Sequence, residues 1–69
     1  MNKRNRDIIL YFLDCIQYDK SCTLQDLITH FDVSERTIRY DLDTISEFLQ
    51  TNGLSPVLFK NDGTIYLKD

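Results

Sequence analysis

The sequence lacks the features that define membrane and exported proteins. No apolar run in its 69 residues approaches the roughly 18 residues that a membrane-spanning helix needs. The N-terminal MNKRNRD has a basic start, but no apolar signal core bounded by small residues follows it. These absences predict a soluble, cytoplasmic chain with no membrane partner.

Cysteine and histidine are also scarce. Cys15 and Cys22 are the only cysteines and His30 is the only histidine, so the four ligands of a zinc finger are missing. Cys15 falls on the apolar face of a predicted helix, where a reduced, buried thiol is the commoner state. The sequence leaves a disulfide open, but we expect reduced cysteines and no metal or other cofactor.

Catalytic motifs are missing as well. Asp7, Asp14 and Asp19 resemble a solvated face, because no nucleophile or second catalytic group converges with them. No phosphate-binding loop occurs either. We therefore expect a binding domain and not an enzyme.

The chain has no excess of basic charge, which counts against nucleic-acid binding. Its formal net charge is -3, but the charge is uneven. Residues 1–40 hold six basic and six acidic residues, whereas residues 41–69 hold two basic and five acidic ones. A nucleic-acid binder needs a locally basic surface and not a basic total. The sequence motifs therefore decide whether nucleic-acid binding is expected.

The first periodic segment runs from about Arg6 to Tyr18. Its apolar residues follow the helical period, and Asp7, Asp14 and Gln17 fall outside their arc. This pattern predicts an amphipathic helix. The residues predicted for its apolar arc are Ile8, Ile9, Phe12, Leu13, Cys15 and Ile16.

Two further helices follow with a short connection. Thr23 opens the second helix with TLQD, which resembles a capping box, and this helix ends near Phe31. Asp32 and Val33 form a tight turn, and Ser34 is the predicted N-cap of the third helix. This spacing is typical of a helix-turn-helix. The buried stripe predicted for the third helix is Ile38, Leu42, Ile45 and Leu49, widened by Phe48.

The last third of the chain predicts a β-hairpin. TNG ends the third helix, with Gly53 suited to a left-handed position. VLF and TIYLK then have strand character, and NDG between them supplies the turn. The predicted fold is mainly α with a small β-hairpin. It is a three-helix winged helix-turn-helix in which this hairpin is the wing.

The exposed tip of the third helix is the candidate functional site. A recognition helix enters the major groove with its N-terminal residues leading, and arginine can bind guanine edges or phosphates. The first backbone amides near Ser34 also favour an anion. With the apolar stripe buried, the residues that face outward on the first two turns are Arg36, Thr37, Arg39 and Tyr40.

Plainer interpretations remain open for these residues. Arg36 and Arg39 are alternatively ordinary solvated charges on a helix. Arg39 has the i,i+4 spacing for an ion pair with either Glu35 or Asp43. Tyr40 is either a phosphate contact or a packed surface ring. In the hairpin, Lys60 and Asn61 flank the tip as candidate backbone contacts.

The segment VSERTIRYDLDTI is similar to the VS..TIRRDL..L signature of DeoR-type repressors. It resembles equally the N-terminal domains of bacterial sugar-operon regulators that carry phosphotransferase-regulation domains. NGLSPVLFKNDGTIYLKD resembles the wing of those families. The resemblance implies that Ser34 is the cap, that Thr37 and Arg39 face DNA, and that Asp41–Leu42 is the DL pair. Tyr40 stands where the families often have a second arginine.

This resemblance implies sequence-specific binding of double-stranded DNA by a regulator of a carbohydrate-uptake, phosphotransferase-system operon. We expect residues 1–69 to be one winged helix-turn-helix domain, the N-terminal part of a longer regulator. Other parts of that regulator would form a homodimer and meet phosphotransferase-system proteins. The alternative is a protein–protein module that does not bind DNA, which the acidic balance and Asp62 at the wing tip motivate. The predicted DNA contacts are Arg4, Thr23, Ser34, Arg36, Thr37, Arg39, Tyr40, Lys60 and Asn61.

Overall fold

Three helices and a small antiparallel sheet make up the fold. The computed structural model describes residues 2–67. The elements are α1 (Lys3–Gln17), β1 (Cys22–Thr23), α2 (Leu24–Phe31), α3 (Glu35–Thr51), β2 (Val57–Phe59) and β3 (Thr64–Leu67). This confirms the mainly helical, three-helix winged helix-turn-helix predicted from the sequence. Within residues 2–67, no helix has both the length and the apolar character that crossing a membrane requires.

Helix α1 begins earlier than its periodicity indicates. Asn2 is the N-cap, and its side-chain oxygen accepts a hydrogen bond of 2.8 Å from the backbone N–H of Asn5. The predicted start near Arg6 is wrong because a polar cap and a polar first turn carry no apolar signal. The basic residues of NKRNR therefore lie in the first turns of a helix.

Local hydrogen bonds and one left-handed residue define the turn between α2 and α3. Asp32 adopts φ 54°, a conformation that aspartate tolerates better than most residues. Ser34 caps α3, as predicted, because its hydroxyl accepts a hydrogen bond of 3.2 Å from the Thr37 N–H. Gly53 follows α3 with φ 76°. Asp32 and the Ser34 cap define the turn locally, and the buried Leu27 and Ile38 pack α2 and α3 into the same core.

Strand β1 is an element that the sequence did not predict. β3 lies between β1 and β2, and Ile65 of β3 pairs with Cys22 on one side and Phe59 on the other. A strand of two residues is too short for alternation to mark it, so only its pairing partner defines it. Lys68, the last residue of the predicted TIYLK strand, lies outside the described residues.

The hydrophobic core lies where the three helices meet the sheet. Its best-buried members come from every helix, and Ile38 of α3 is completely buried. Cys15 and Cys22 are both buried as free thiols. The buried apolar residues are Ile8, Cys15, Cys22, Leu24, Leu27, Ile38, Leu42, Ile45, Val57 and Ile65.

Part of the predicted apolar stripe is exposed instead of buried. Leu13 and Ile16 of α1 are 50% and 53% exposed, and Phe48 of α3 is 44% exposed. Leu13 and Leu54 line an open apolar groove of about 260 Å³ between α1, the end of α3 and the sheet. Periodicity identifies the apolar side of a helix, but a small domain has too little structure to cover all of that side.

Candidate DNA-binding interface

The first two turns of α3 expose the side chains that the sequence predicts for DNA contact. Ile38 and Leu42 are 0% and 3% exposed, which fixes the opposite side of the helix outward. Arg36 is exposed, Tyr40 is 71% exposed and the Arg39 side chain is 55% exposed. Two guanidinium groups therefore face solvent one helical turn apart.

The start of α3 adds neutral donors to this surface. The hydroxyl oxygens of Ser34 and Thr37 lie 3.0 Å apart; Ser34 is exposed and Thr37 is half-buried. The first turn of a helix leaves backbone N–H groups without helical partners, and the helix dipole makes this end electropositive. An anion such as a DNA phosphate is thus favoured at this end of α3.

Arg39 connects the helix to the wing. Its Nε donates a hydrogen bond of 3.0 Å to Oε2 of Glu35, which confirms one of the two predicted i,i+4 pairs. Its guanidinium carbon lies 5.7 Å from the centroid of the Phe59 ring on β2. Within residues 2–67, Arg39 forms no ion pair with Asp43.

The wing turn presents Lys60 and Asn61 to solvent. The Gly63 N–H donates to the Lys60 carbonyl at 3.0 Å, and the φ of 88° at Gly63 suits glycine. Asp62 accepts a hydrogen bond of 2.9 Å from the Thr64 N–H. Hydrogen bonds from the side chain and backbone of Thr64 lower the pKa of Asp62. The wing tip therefore keeps a negative charge beside its lysine.

Comparison with known protein families assigns the helical part of the chain to one family. The family described as the DeoR-like helix-turn-helix domain matches residues 9–53, which span most of α1 and all of α2 and α3. The chain belongs to this family. The matched residues of this chain include the turn and the exposed tip of α3, but not β2 or β3. No curated protein and no solved structure matches the chain.

Membership of the DeoR-like family supplies the general function. DeoR-like domains bind DNA as parts of transcription regulators, and this role is not enzymatic. The tip of α3 is the part of this DeoR-like domain that brings predicted contact residues together: Ser34, Arg36, Thr37, Arg39 and Tyr40 lie on it. Lys60 and Asn61 follow Phe59, the wing residue that meets Arg39.

Two other predicted DNA contacts of the DeoR-like domain are engaged within the protein. Nε and Nη2 of Arg4 donate to the two carboxylate oxygens of Asp41, at 2.5 and 3.2 Å. These hydrogen bonds raise the pKa of Arg4. Thr23 exchanges hydrogen bonds of 3.0 and 3.1 Å with Asp26 in the predicted capping box. Arg4 thus joins α1 to α3, and Thr23 caps the start of α2.

Sequence reasoning missed two partners of the predicted arginines. Asp41 is 1% exposed, three residues after the buried Ile38 and next to the buried Leu42. An acidic residue at a buried helical position needs a cation or strong hydrogen bonds, so this position was a signal for the ion pair with Arg4. Phe59 carried no such signal, because its place beside Arg39 depends on how β2 lies against α3.

Proposed function

We propose that this chain is the N-terminal winged helix-turn-helix domain of a longer transcription regulator and binds duplex DNA with the tip of α3. The main support is that Arg36, Arg39 and Tyr40 are exposed on α3 while Ile38 is fully buried, in a domain of the DeoR-like family. These three side chains would lie in the major groove, where arginine binds guanine edges or phosphates.

The remaining exposed polar groups suit the sugar-phosphate backbone. Ser34 and Thr37 offer hydroxyls beside the electropositive helix start. Lys60 and Asn61 at the wing turn are exposed and adjacent to the strand that meets Arg39. In this proposal phosphate contacts supply most of the affinity and orient α3, while the tip of α3 selects the sequence.

We further propose that the regulated genes form a carbohydrate-uptake operon of the phosphotransferase system. The support is the similarity of VSERTIRYDLDTI to the signature of sugar-operon regulators. Other parts of the parent regulator would form the homodimer and meet phosphotransferase-system proteins, and the protein would act in the cytoplasm. One small module makes few phosphate contacts, so a dimer would supply the affinity that a single copy lacks.

Salt-titrated binding of the chain to a random-sequence duplex pool tests the proposal. The logarithm of the binding constant should fall linearly with the logarithm of salt concentration. Arg36→Ala should weaken binding and reduce the slope by about 0.9, the loss expected for one phosphate contact. If Arg36 binds a base instead, binding of a selected duplex should weaken with little change in slope.

Arg6→Ala is the matched control for Arg36→Ala. Arg6 is exposed on α1, and two residues of helix place it about 200° around the axis from Arg4, which faces α3. It removes the same charge from the chain but should change neither affinity nor slope appreciably. Binding that is absent or insensitive to salt would overturn the proposal and favour a protein–protein module.

A further inference from the structure

The side chain of Arg39 is held from two sides. Glu35, one turn earlier on α3, accepts a hydrogen bond from its Nε at 3.0 Å. Phe59, on the wing strand β2, places its ring centroid 5.7 Å from the guanidinium carbon, within the range of a cation–π contact. Both partners are substantially exposed, at 61% for the Glu35 side chain and 41% for Phe59. Neither contact is therefore needed to complete the hydrophobic core.

The hydrogen bond to Glu35 uses the one donor of Arg39 that base recognition does not require. A guanidinium carries five N–H donors, and engagement of Nε leaves the four on its two Nη atoms. The Nη pair is the end of the fork that can bind O6 and N7 of guanine together. The carboxylate and the ring thus hold the planar group while its base-binding end stays unoccupied within residues 2–67.

Arg36 provides a contrast on the same surface. Within the described part of the chain, its guanidinium forms no ion pair and no ring contact. A flexible arginine loses rotamer freedom when it binds, whereas one already held loses less. Arg36 therefore suits a phosphate, which accepts many approach directions, and Arg39 suits a base edge, which accepts few.

We propose that Phe59 and Glu35 are positioning residues that hold Arg39 in the orientation that selects a guanine, so that the wing controls base preference through α3. This inference rests on the proposed DNA binding by the tip of α3. It assigns the wing a role apart from contacts of its own with DNA. The role belongs to β2, not to the Lys60–Asp62 turn.

Selection of duplexes from a random pool at low ionic strength tests this role. The wild-type chain should enrich duplexes that share at least one guanine position, and Arg39→Ala should lose the preference there, by about tenfold for a bidentate contact. Phe59→Leu should weaken the same preference by about threefold, the cost of ordering one arginine side chain again. Phe59→Tyr keeps the ring and should retain the preference.

Phe48→Leu is the control for the loss of an exposed phenylalanine. Phe48 is 44% exposed on α3, and it makes no ring contact with an arginine within residues 2–67. This variant should keep the wild-type preference. Circular dichroism melts of every variant separate a shifted preference from partial unfolding, which would weaken all sequences equally.

Two results would overturn the inference while leaving DNA binding intact. One is that Arg39→Ala keeps every guanine preference of the wild type. The other is that Arg39→Ala removes a guanine preference that Phe59→Leu leaves unchanged. Retention of no duplex by the wild-type chain would be a failure of the proposed function itself, and the positioning role would fall with it.

Discussion

Replacing Arg4 by methionine should destabilise the fold more than replacing its partner Asp41 by asparagine. The pair is asymmetric, because the Arg4 side chain is 37% exposed and the Asp41 side chain only 1%. Without its arginine, the carboxylate stays buried and unpaired, and such a group costs about 3 kcal/mol. Asparagine at position 41 instead removes the buried charge, keeps an acceptor oxygen and leaves a guanidinium that can turn into water, at about 1 kcal/mol.

Urea unfolding followed by far-ultraviolet circular dichroism measures the difference. With a slope of about 1 kcal/mol per molar urea for a small domain, Asp41→Asn should lower the midpoint by about 1 M. Arg4→Met should lower it further, and a domain of this size has so few kcal/mol of stability that part of the population should be unfolded without urea.

The double variant makes the test stricter. Asp41→Asn added to Arg4→Met exchanges a buried unpaired charge for a buried amide, so the double variant should be more stable than Arg4→Met alone. Equal midpoints for the two single variants would refute the reasoning from unequal burial. A double variant less stable than Arg4→Met would refute the claim that the unpaired carboxylate is the source of the cost.

Three further outcomes are expected. Asp62→Asn keeps an acceptor for the Thr64 N–H and removes the negative charge at the wing tip, so duplex affinity at low salt should rise by about twofold, measured by fluorescence anisotropy. The pKa of Cys22 is raised from 9.0 to about 12, mainly by burial of the thiol and to a smaller extent by the neighbouring Cys15. The unfolded state then loses the thiol proton first, so the free energy of unfolding should fall above about pH 9, and Cys22→Ala should flatten this part of the profile of urea midpoint against pH. Ser34→Ala removes the acceptor for the first turn of α3 and should cost about 1 kcal/mol in urea unfolding, whereas an unchanged midpoint would contradict the capping role.

The parts of the fold that the sequence predicts are those decided by neighbouring residues. The capping box at Thr23, the left-handed Asp32 and the cap at Ser34 each depend on side chains within three positions. β1 depends on β3, which is far along the chain, and its two residues show no pattern of their own. The exposure of Leu13 was mispredicted for a related reason, since periodicity does not say how far a small sheet extends over a helix.

The candidate site divides in the same way. The outward direction of Arg36 and Tyr40 follows from the period of one helix and could be predicted from it. The contact between Arg39 and Phe59 joins α3 to β2, so no pattern within one element reveals it. Arg4 was predicted to contact DNA, but the structure pairs it with Asp41, an acidic residue buried three positions after Ile38.

Three of the acidic residues have partners within the domain, which makes the acidic balance of the chain less unfavourable for DNA binding. Asp41 is buried against Arg4, Asp26 completes the cap of α2, and Glu35 holds the Nε of Arg39. These pairings leave Arg36 and the helix dipole as the main attraction at the tip of α3, so long-range attraction is modest and the salt slope of a single copy should be small. A surface with few phosphate contacts depends on how well its side chains are oriented, so in the proposed positioning role Glu35 would contribute to recognition although its charge opposes DNA.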